Sequence, residues 1–321
     1  MSYPKIELHV HLEGTIRPAT LLDIARRNGV ALPADTVEDL GALYEFTDFT
    51  HFVRVWLMTT GCLRTPADFA RIVVDYAAEA AGFGAVYLEA IFSPSECVAA
   101  GLAWDDIFTG YTDGVVQARE RHGVAVRLTP DLYRGVDVDI AEECARVAVR
   151  YRDRGVVGLG LGGPEAGRSA EPYRKAFEIA RAGGLGVVPH AGETAGPPSV
   201  REVLTLRPDR IRHGVRAVED PTLVAELADR GLVLDVCPTS NLRLGVVSTL
   251  DEHPLRALAT AGVLCTVNTD DPAMFGTDLG REYEVAGALG VGPEEAYVAG
   301  LSGALCDAET RAWLAGLPTT G

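Results

Sequence analysis

The stretch KIELHVHLEG, from Lys5 to Gly14, alternates apolar and polar residues and closes on a glycine. Period-two alternation reads as a strand, and side chains two residues apart share one of its faces. His9 and His11 therefore point the same way near the strand's end. Seven more short runs of this kind follow. They are AVYLEAIFSP from Ala85, VAVRLTPDL from Val124, VVGLGLGGPE from Val156, LGVVPHAGET from Leu185, RIRHGV from Arg210, LVLDVCPTSN from Leu232 and VLCTVNTDDP from Val263. Helical patterns separate them, with ordinary boundary signals: Thr65-Pro66-Ala67-Asp68 and Asp220-Pro221 start helices, and Gly231 stops one. Eight mostly apolar strands alternating with helices predict an α/β protein, a parallel (β/α)8 TIM barrel. An open doubly wound sheet is the alternative that apolar runs alone leave standing.

Working outward, the chain has 321 residues, 47% hydrophobic and 23% charged. No linker, repeat or charge block divides it, so residues 1–321 are expected to form a single barrel domain. About 70 residues separate the first two strands, and 14–84 is expected to be a helical lid insertion. Acidic residues outnumber basic ones, 45 to 29, for a formal charge of −16. That surface repels polyanions, so no nucleic-acid or membrane partner is expected and a small molecule is. Six scattered cysteines form no CxxC pair, no run approaches a membrane helix, and no signal peptide is visible. A soluble, reduced, cytoplasmic protein is expected. Oligomeric state cannot be read.

The polar residues decide the fold. A TIM barrel collects its chemistry at the C-terminal ends of its strands. His9 and His11 end the first strand, His190 the fifth and His213 the sixth, while Asp270 and Asp271 end the eighth. His51, His122 and His253 fall in helices or loops. A lone strand histidine is ordinarily a hydrogen-bonded core residue, but four with an aspartate at strand ends form a set. An HxH pair with a third imidazole and a carboxylate suits Zn²⁺, which lowers the pKa of a bound water to about 7. Glu193, three residues beyond His190, can carry a proton to a leaving group or ring nitrogen.

In order, HVHLEG, HAGET, RIRHGV, CPTSN and NTDDP closely resemble the motifs of the adenosine deaminase family within the amidohydrolase superfamily, over nearly the whole chain. The resemblance implies one catalytic zinc and hydrolytic removal of the 6-amino group of an adenine ring. His9, His11, His190 and Asp270 match the metal ligands. Glu193 matches the group that protonates ring nitrogen 1, and His213 the residue that orients the zinc-bound hydroxide. Asp271 matches the partner of ring nitrogen 7, and Gly163 the backbone donor to ring nitrogen 3. The cytidine-type H-x-E…P-C-x-x-C signature is absent. The fourth strand offers no lysine or carboxylate to bridge a second metal.

Two departures touch the substrate. Glu13 stands where the family commonly has a ribose-contacting Asp, and Gly160 replaces the Asp of a DLAGDE-like motif. Both changes are expected at the sugar side or its support. Phe49, Phe52, Val53 and Trp56 fall at helical spacing in DFTHFVRVWL and match the family's apolar wall around the ribose. The expected substrate is adenosine or deoxyadenosine. A 5′-modified adenosine such as aminodeoxyfutalosine is the first alternative and free adenine a weaker one. A non-enzymatic metal-binding relative would have eroded Glu193, His213 or Asp271, and all three are present.

Overall fold

A computed structural model of the chain describes residues 3–46 and 49–318, with the side chains of Phe49 and Thr50 outside the description. All eight expected strands form. They are β1 (Lys5–His11), β2 (Ala85–Phe92), β3 (Ala125–Tyr133), β4 (Gly158–Gly162), β5 (Gly186–Ala191), β6 (Arg210–His213), β7 (Val233–Val236) and β8 (Leu264–Val267). They lie parallel in sequence order in one sheet, a (β/α)8 TIM barrel and not the open doubly wound alternative.

Polar residues of the NTDDP motif bring β8 back to β1. The Leu8 N–H donates to Asn268 Oδ1 at 2.8 Å, and the Asn268 amide donates to Val236 O and Thr266 Oγ1. Beyond β8, Asp270 N–H donates to His9 O at 3.1 Å, and His11 N–H to Asp270 O at 2.8 Å. The register between β1 and β2 shifts between Glu7 and Val10, a bulge-like irregularity of the kind that re-aims side chains beside sites.

Among the described residues, four α-helices lie between β1 and β2: α1 (Pro18–Asn28), α2 (Val37–Leu43), α3 (Phe49–Thr60) and α4 (Pro66–Gly82). Thr65 precedes Pro66 at the start of α4 as expected, and Asp68 Oδ2 accepts from the Thr65 N–H at 2.8 Å and the Thr65 hydroxyl at 2.9 Å. That helix packs against the long helix before β3, Trp104–His122. The approach is close: a Cβ on Gly110 or Gly114 would come within 2.5 Å of Pro66 O or 2.8 Å of Ala70 O. Thus α4 is an ordinary outer-ring helix, and the additional helices are α1 to α3. Asp220 caps its helix through the N–H groups of Thr222 and Leu223, as its sequence predicted. All six cysteines are free thiols, and no described helix is long and apolar enough to cross a membrane.

Candidate active site

The strand ends converge. His9 Nε2 and His11 Nε2 lie 3.3 and 3.4 Å from Asp270 Oδ1, and His11 Nε2 lies 3.3 Å from His190 Nε2. His213 Nε2 stands 3.6 Å from Glu193 Oε1 and 3.7 Å from Asp270 Oδ2. His213 and Asp270 have φ of 60° and 64°. Such left-handed backbone costs an ordinary residue on the order of 1–3 kcal/mol and concentrates at functional sites.

Burial sets the protonation states. It pushes His9 well below the usual imidazole value, His11 to about 4, and His190 down as well. All three rings are therefore neutral near pH 7 and offer lone pairs. Burial opposes ionisation of Asp270, but the facing imidazoles of His9, His213 and His11 hold its carboxyl well below the ordinary range. Both ring nitrogens of His9 are buried without a hydrogen-bond partner. Three neutral imidazoles around one carboxylate, one ring lacking partners of its own, fit a zinc-class cation.

Next to this group, burial pushes Glu193 up to about 7, with Asp270 and Glu165 adding to the shift and His213 opposing it. Burial and the adjacent Asp270 push Asp271 well above the carboxylate range, and its Oδ1 is buried without a partner. A protonated carboxyl donates, which suits an acceptor such as purine nitrogen 7. Gly14 leaves room for it: a Cβ there would lie 1.9 Å from Asp271 Oδ1. Gly163 adopts φ 85° over the Tyr133 ring, where a Cβ would meet Tyr133 Cε2 at 2.7 Å. One cavity of about 310 Å³ is lined by His11, Gly163, His190, Glu193, His213, Asp270 and Asp271. Phe52, Val53, Trp56 and Leu57 of α3 form an apolar side of it. The Phe52 ring stacks on Phe275, centroids 5.4 Å apart. The Phe49 side chain lies outside the described residues.

Glu13 is placed differently from its expectation. The chain turns after β1 into a 3-10 helix, Leu12–Thr15, that buries Glu13 completely. Its Oε1 accepts from Ser93 N–H at 2.9 Å and from the Tyr111 hydroxyl at 3.0 Å. Ser93 lines the cavity and Glu13 stands behind it. Gly160 stands beside the Asp131 carboxylate that faces His190. A Cβ there would fall 2.0 Å from Asp131 Oδ1 and 2.3 Å from Arg212 Nη1, so the glycine makes space for that buried ion pair.

Several partners went unassigned in the sequence. Asp131 Oδ2 lies 3.3 Å from His190 Nδ1. In CPTSN, the Ser240 hydroxyl donates to Asp270 Oδ2 at 2.6 Å, and Asn241 pairs with His213 Nδ1 at 3.3 Å. His253, a loop bystander by sequence, is buried and holds Asn241 Oδ1 through Nε2 at 3.0 Å. Glu96 lines the cavity with one carboxylate oxygen buried and unpartnered. The strand-end rule could have found Asp131, since β3 ends just beyond it. The other partners depend on contacts between loops.

The family model described as "Adenosine deaminase" matches residues 4–316. An aminodeoxyfutalosine deaminase of Acidothermus cellulolyticus is 55% identical over 97% of this chain and 90% of its own length. Among solved structures, an adenine deaminase from Arthrobacter aurescens superposes with TM-score 0.91 at 30% identity, covering 98% of this chain and 97% of its own. An amidohydrolase from Burkhoderia ambifaria, with bound Zn, gives TM-score 0.88 at 28% identity, covering 98% of this chain and 89% of its own.

Proposed function

Because the chain belongs to the adenosine deaminase family and is a deaminating hydrolase, we propose that it hydrolyses the 6-amino group of a 5′-modified adenosine, aminodeoxyfutalosine, to the 6-oxo product and ammonia. The observation that carries this choice is the 55% identity, over 97% of the chain, to a relative named for that substrate. It reverses the order expected from sequence, in which adenosine and deoxyadenosine stood first. The TM-score of 0.91 to an adenine deaminase supports free adenine as the second reading. The six free thiols support a cytoplasmic setting.

His9, His11, His190 and Asp270 would hold one Zn²⁺ per chain. When bound, such a cation supplies the Lewis acidity that makes water a nucleophile at neutral pH. The chain's own residues do the rest. Carbon 6 of an adenine ring is a poor electrophile until nitrogen 1 is protonated. Glu193, with its proton retained up to about pH 7, can give that proton. Asp271, protonated, donates to nitrogen 7, and the Gly163 N–H donates to nitrogen 3. His213, held through Asn241 and His253, stands between Glu193 and Asp270 to orient the attacking water. The α1–α3 stretch acts as a lid, its α3 residues excluding water from the ring. Glu96 provides an acceptor apart from the donors that grip the purine, as a sugar hydroxyl requires.

The direct test is ammonia release from aminodeoxyfutalosine, adenosine and adenine at equal concentrations. We expect the highest kcat/KM for aminodeoxyfutalosine. A higher value for adenine would replace this reading by the second.

A further inference from the structure

The loop that carries Glu193 is organised around a carboxylate from the neighbouring strand. Glu165 follows β4 by three residues and is buried, with 5% exposure. Its Oε2 accepts from the Gly192 N–H at 2.7 Å and from the Ser199 hydroxyl. Its Oε1 accepts from the N–H groups of Glu193 and Thr194, each at 2.9 Å. Four donors thus meet one side chain, and three are consecutive backbone groups. Burial alone would raise this carboxyl, but these donors and Arg134 hold it below its ordinary value. Buried Arg134 completes the tie: its guanidinium donates to Gly163 O at 3.1 Å and to His190 O at 2.5 Å.

The consequence is geometric. Gly163 lies two residues before Glu165 with the rigid Pro164 between them. The donor assigned to nitrogen 3 and the acid assigned to nitrogen 1 are therefore joined by one short bridge. Nitrogens 1 and 3 belong to one rigid ring, so the separation of their partners must match it. We propose that Glu165 is a positioning residue that sets the Glu193 carboxyl against the Gly163 N–H through the backbone of residues 192–194. This rests on Glu193 being the proton carrier of the proposed reaction. Glu165 itself touches no substrate. It removes the freedom of the HAGE loop that would otherwise let Glu193 drift, and misplacement of about 1 Å can cost on the order of 10²-fold in rate.

Glu165→Gln tests the idea, because the amide keeps the shape but turns an NH₂ toward two of the four donors. With the best nucleoside substrate, kcat is expected to fall about 10- to 100-fold while KM changes less than about threefold and metal content holds. The decisive comparison is Glu165→Gln placed in a Glu193→Gln background. If Glu165 acts only through Glu193, the double variant is no slower than Glu193→Gln alone. A loss that multiplies in the double variant, a loss of metal, or an unchanged kcat in the single variant overturns the proposal. Should Glu165→Gln not accumulate as folded protein, Glu165→Asp carries the same comparison, its carboxylate drawn back by one methylene. Failure of the underlying reading is distinct: Glu193→Gln itself would then turn over normally.

Discussion

Asp131 reaches His190 across an intervening strand, its Oδ2 3.3 Å from His190 Nδ1. Asp131 lies on β3 and His190 on β5, and Gly160 of β4 is the register partner of Asp131. Only a residue without a side chain lets the carboxylate pass, since a Cβ on Gly160 would meet Asp131 Oδ1 at 2.0 Å. His190 Nδ1 also faces Leu161 O at 3.0 Å, so Nδ1 can carry the proton and Nε2 is left for a metal. Arg212 pairs with the same carboxylate and is itself fully buried.

Asp131→Asn is therefore expected to weaken metal binding 10- to 100-fold, the usual cost of losing a carboxylate behind a ligating histidine. It also strands the Arg212 charge, so thermal stability should fall, by about 3–5 kcal/mol for a broken buried pair. Competition against a chromogenic chelator reads the first effect and calorimetry the second. Unchanged metal affinity would show that Asp131 does not orient His190.

The metal group itself predicts one zinc-like ion per chain. Its donors are three neutral imidazoles and Asp270, and β4 contributes no carboxylate or lysine to bridge a second ion. Elemental analysis should return about one equivalent, and His190→Ala should return far less. Exhaustive chelation should abolish deamination, and a single equivalent of Zn²⁺ should restore it. Two ions reproducibly held in one centre would contradict the assignment.

The Glu193 carboxyl, pushed up to about 7 mainly by burial, predicts both a rate and its pH dependence. Only the protonated form can give a proton to the ring. A raised value keeps that form populated below about pH 7 and loses it above, so kcat/KM should decline on the alkaline side of about 7. Glu193→Gln should cut kcat by about 10²–10⁴-fold, the range of general acid–base catalysis, while retaining metal and substrate affinity. Rate measurements across pH for both proteins check this, and near-normal turnover by the variant would remove Glu193 from the chemistry.

What the sequence made legible follows from where its pattern breaks. His9, His11, His190, His213 and Asp270 interrupt apolar strands at their ends, and a barrel brings strand ends together whatever lies between them. The eight strands were legible for the same reason. Contacts across the barrel were not. Nothing in TPDL says that Asp131 crosses a glycine 29 positions later to meet a histidine two strands away. Glu13 sits two residues beyond His11, yet one 3-10 turn carries it behind Ser93 instead of into the cavity. The α4 helix reads like its neighbours in the 14–84 stretch, and its outer-ring role shows only in the two glycines of the helix it packs against. His253 carries no strand-end signal, because it acts through Asn241 from a loop.

The sugar end offers the test that best separates the substrates. Asp271, Gly163 and Glu193 engage the purine in the proposed reading, which leaves Glu96 as a cavity carboxylate with a buried, unpartnered oxygen. Burial pushes it up to about 7 against its own backbone N–H, and the unpartnered oxygen still lacks a donor. A ribose hydroxyl would supply one. Opposite in character, Phe52 and Trp56 form an apolar wall of the cavity, which in the proposed reading faces the 5′ substituent. Glu96→Ala and Phe52→Ala should each lower kcat/KM for the 5′-modified nucleoside by 10- to 200-fold, about 1–3 kcal/mol of transition-state binding. The inhibition constant of free adenine, which has no sugar, should barely move in either variant. Glu13→Gln provides the contrast: buried behind Ser93, it should shift nucleoside turnover and adenine binding by similar factors. A selective nucleoside loss in Glu13→Gln, with none in Glu96→Ala, would return the sugar contact to the position that the sequence alone suggested.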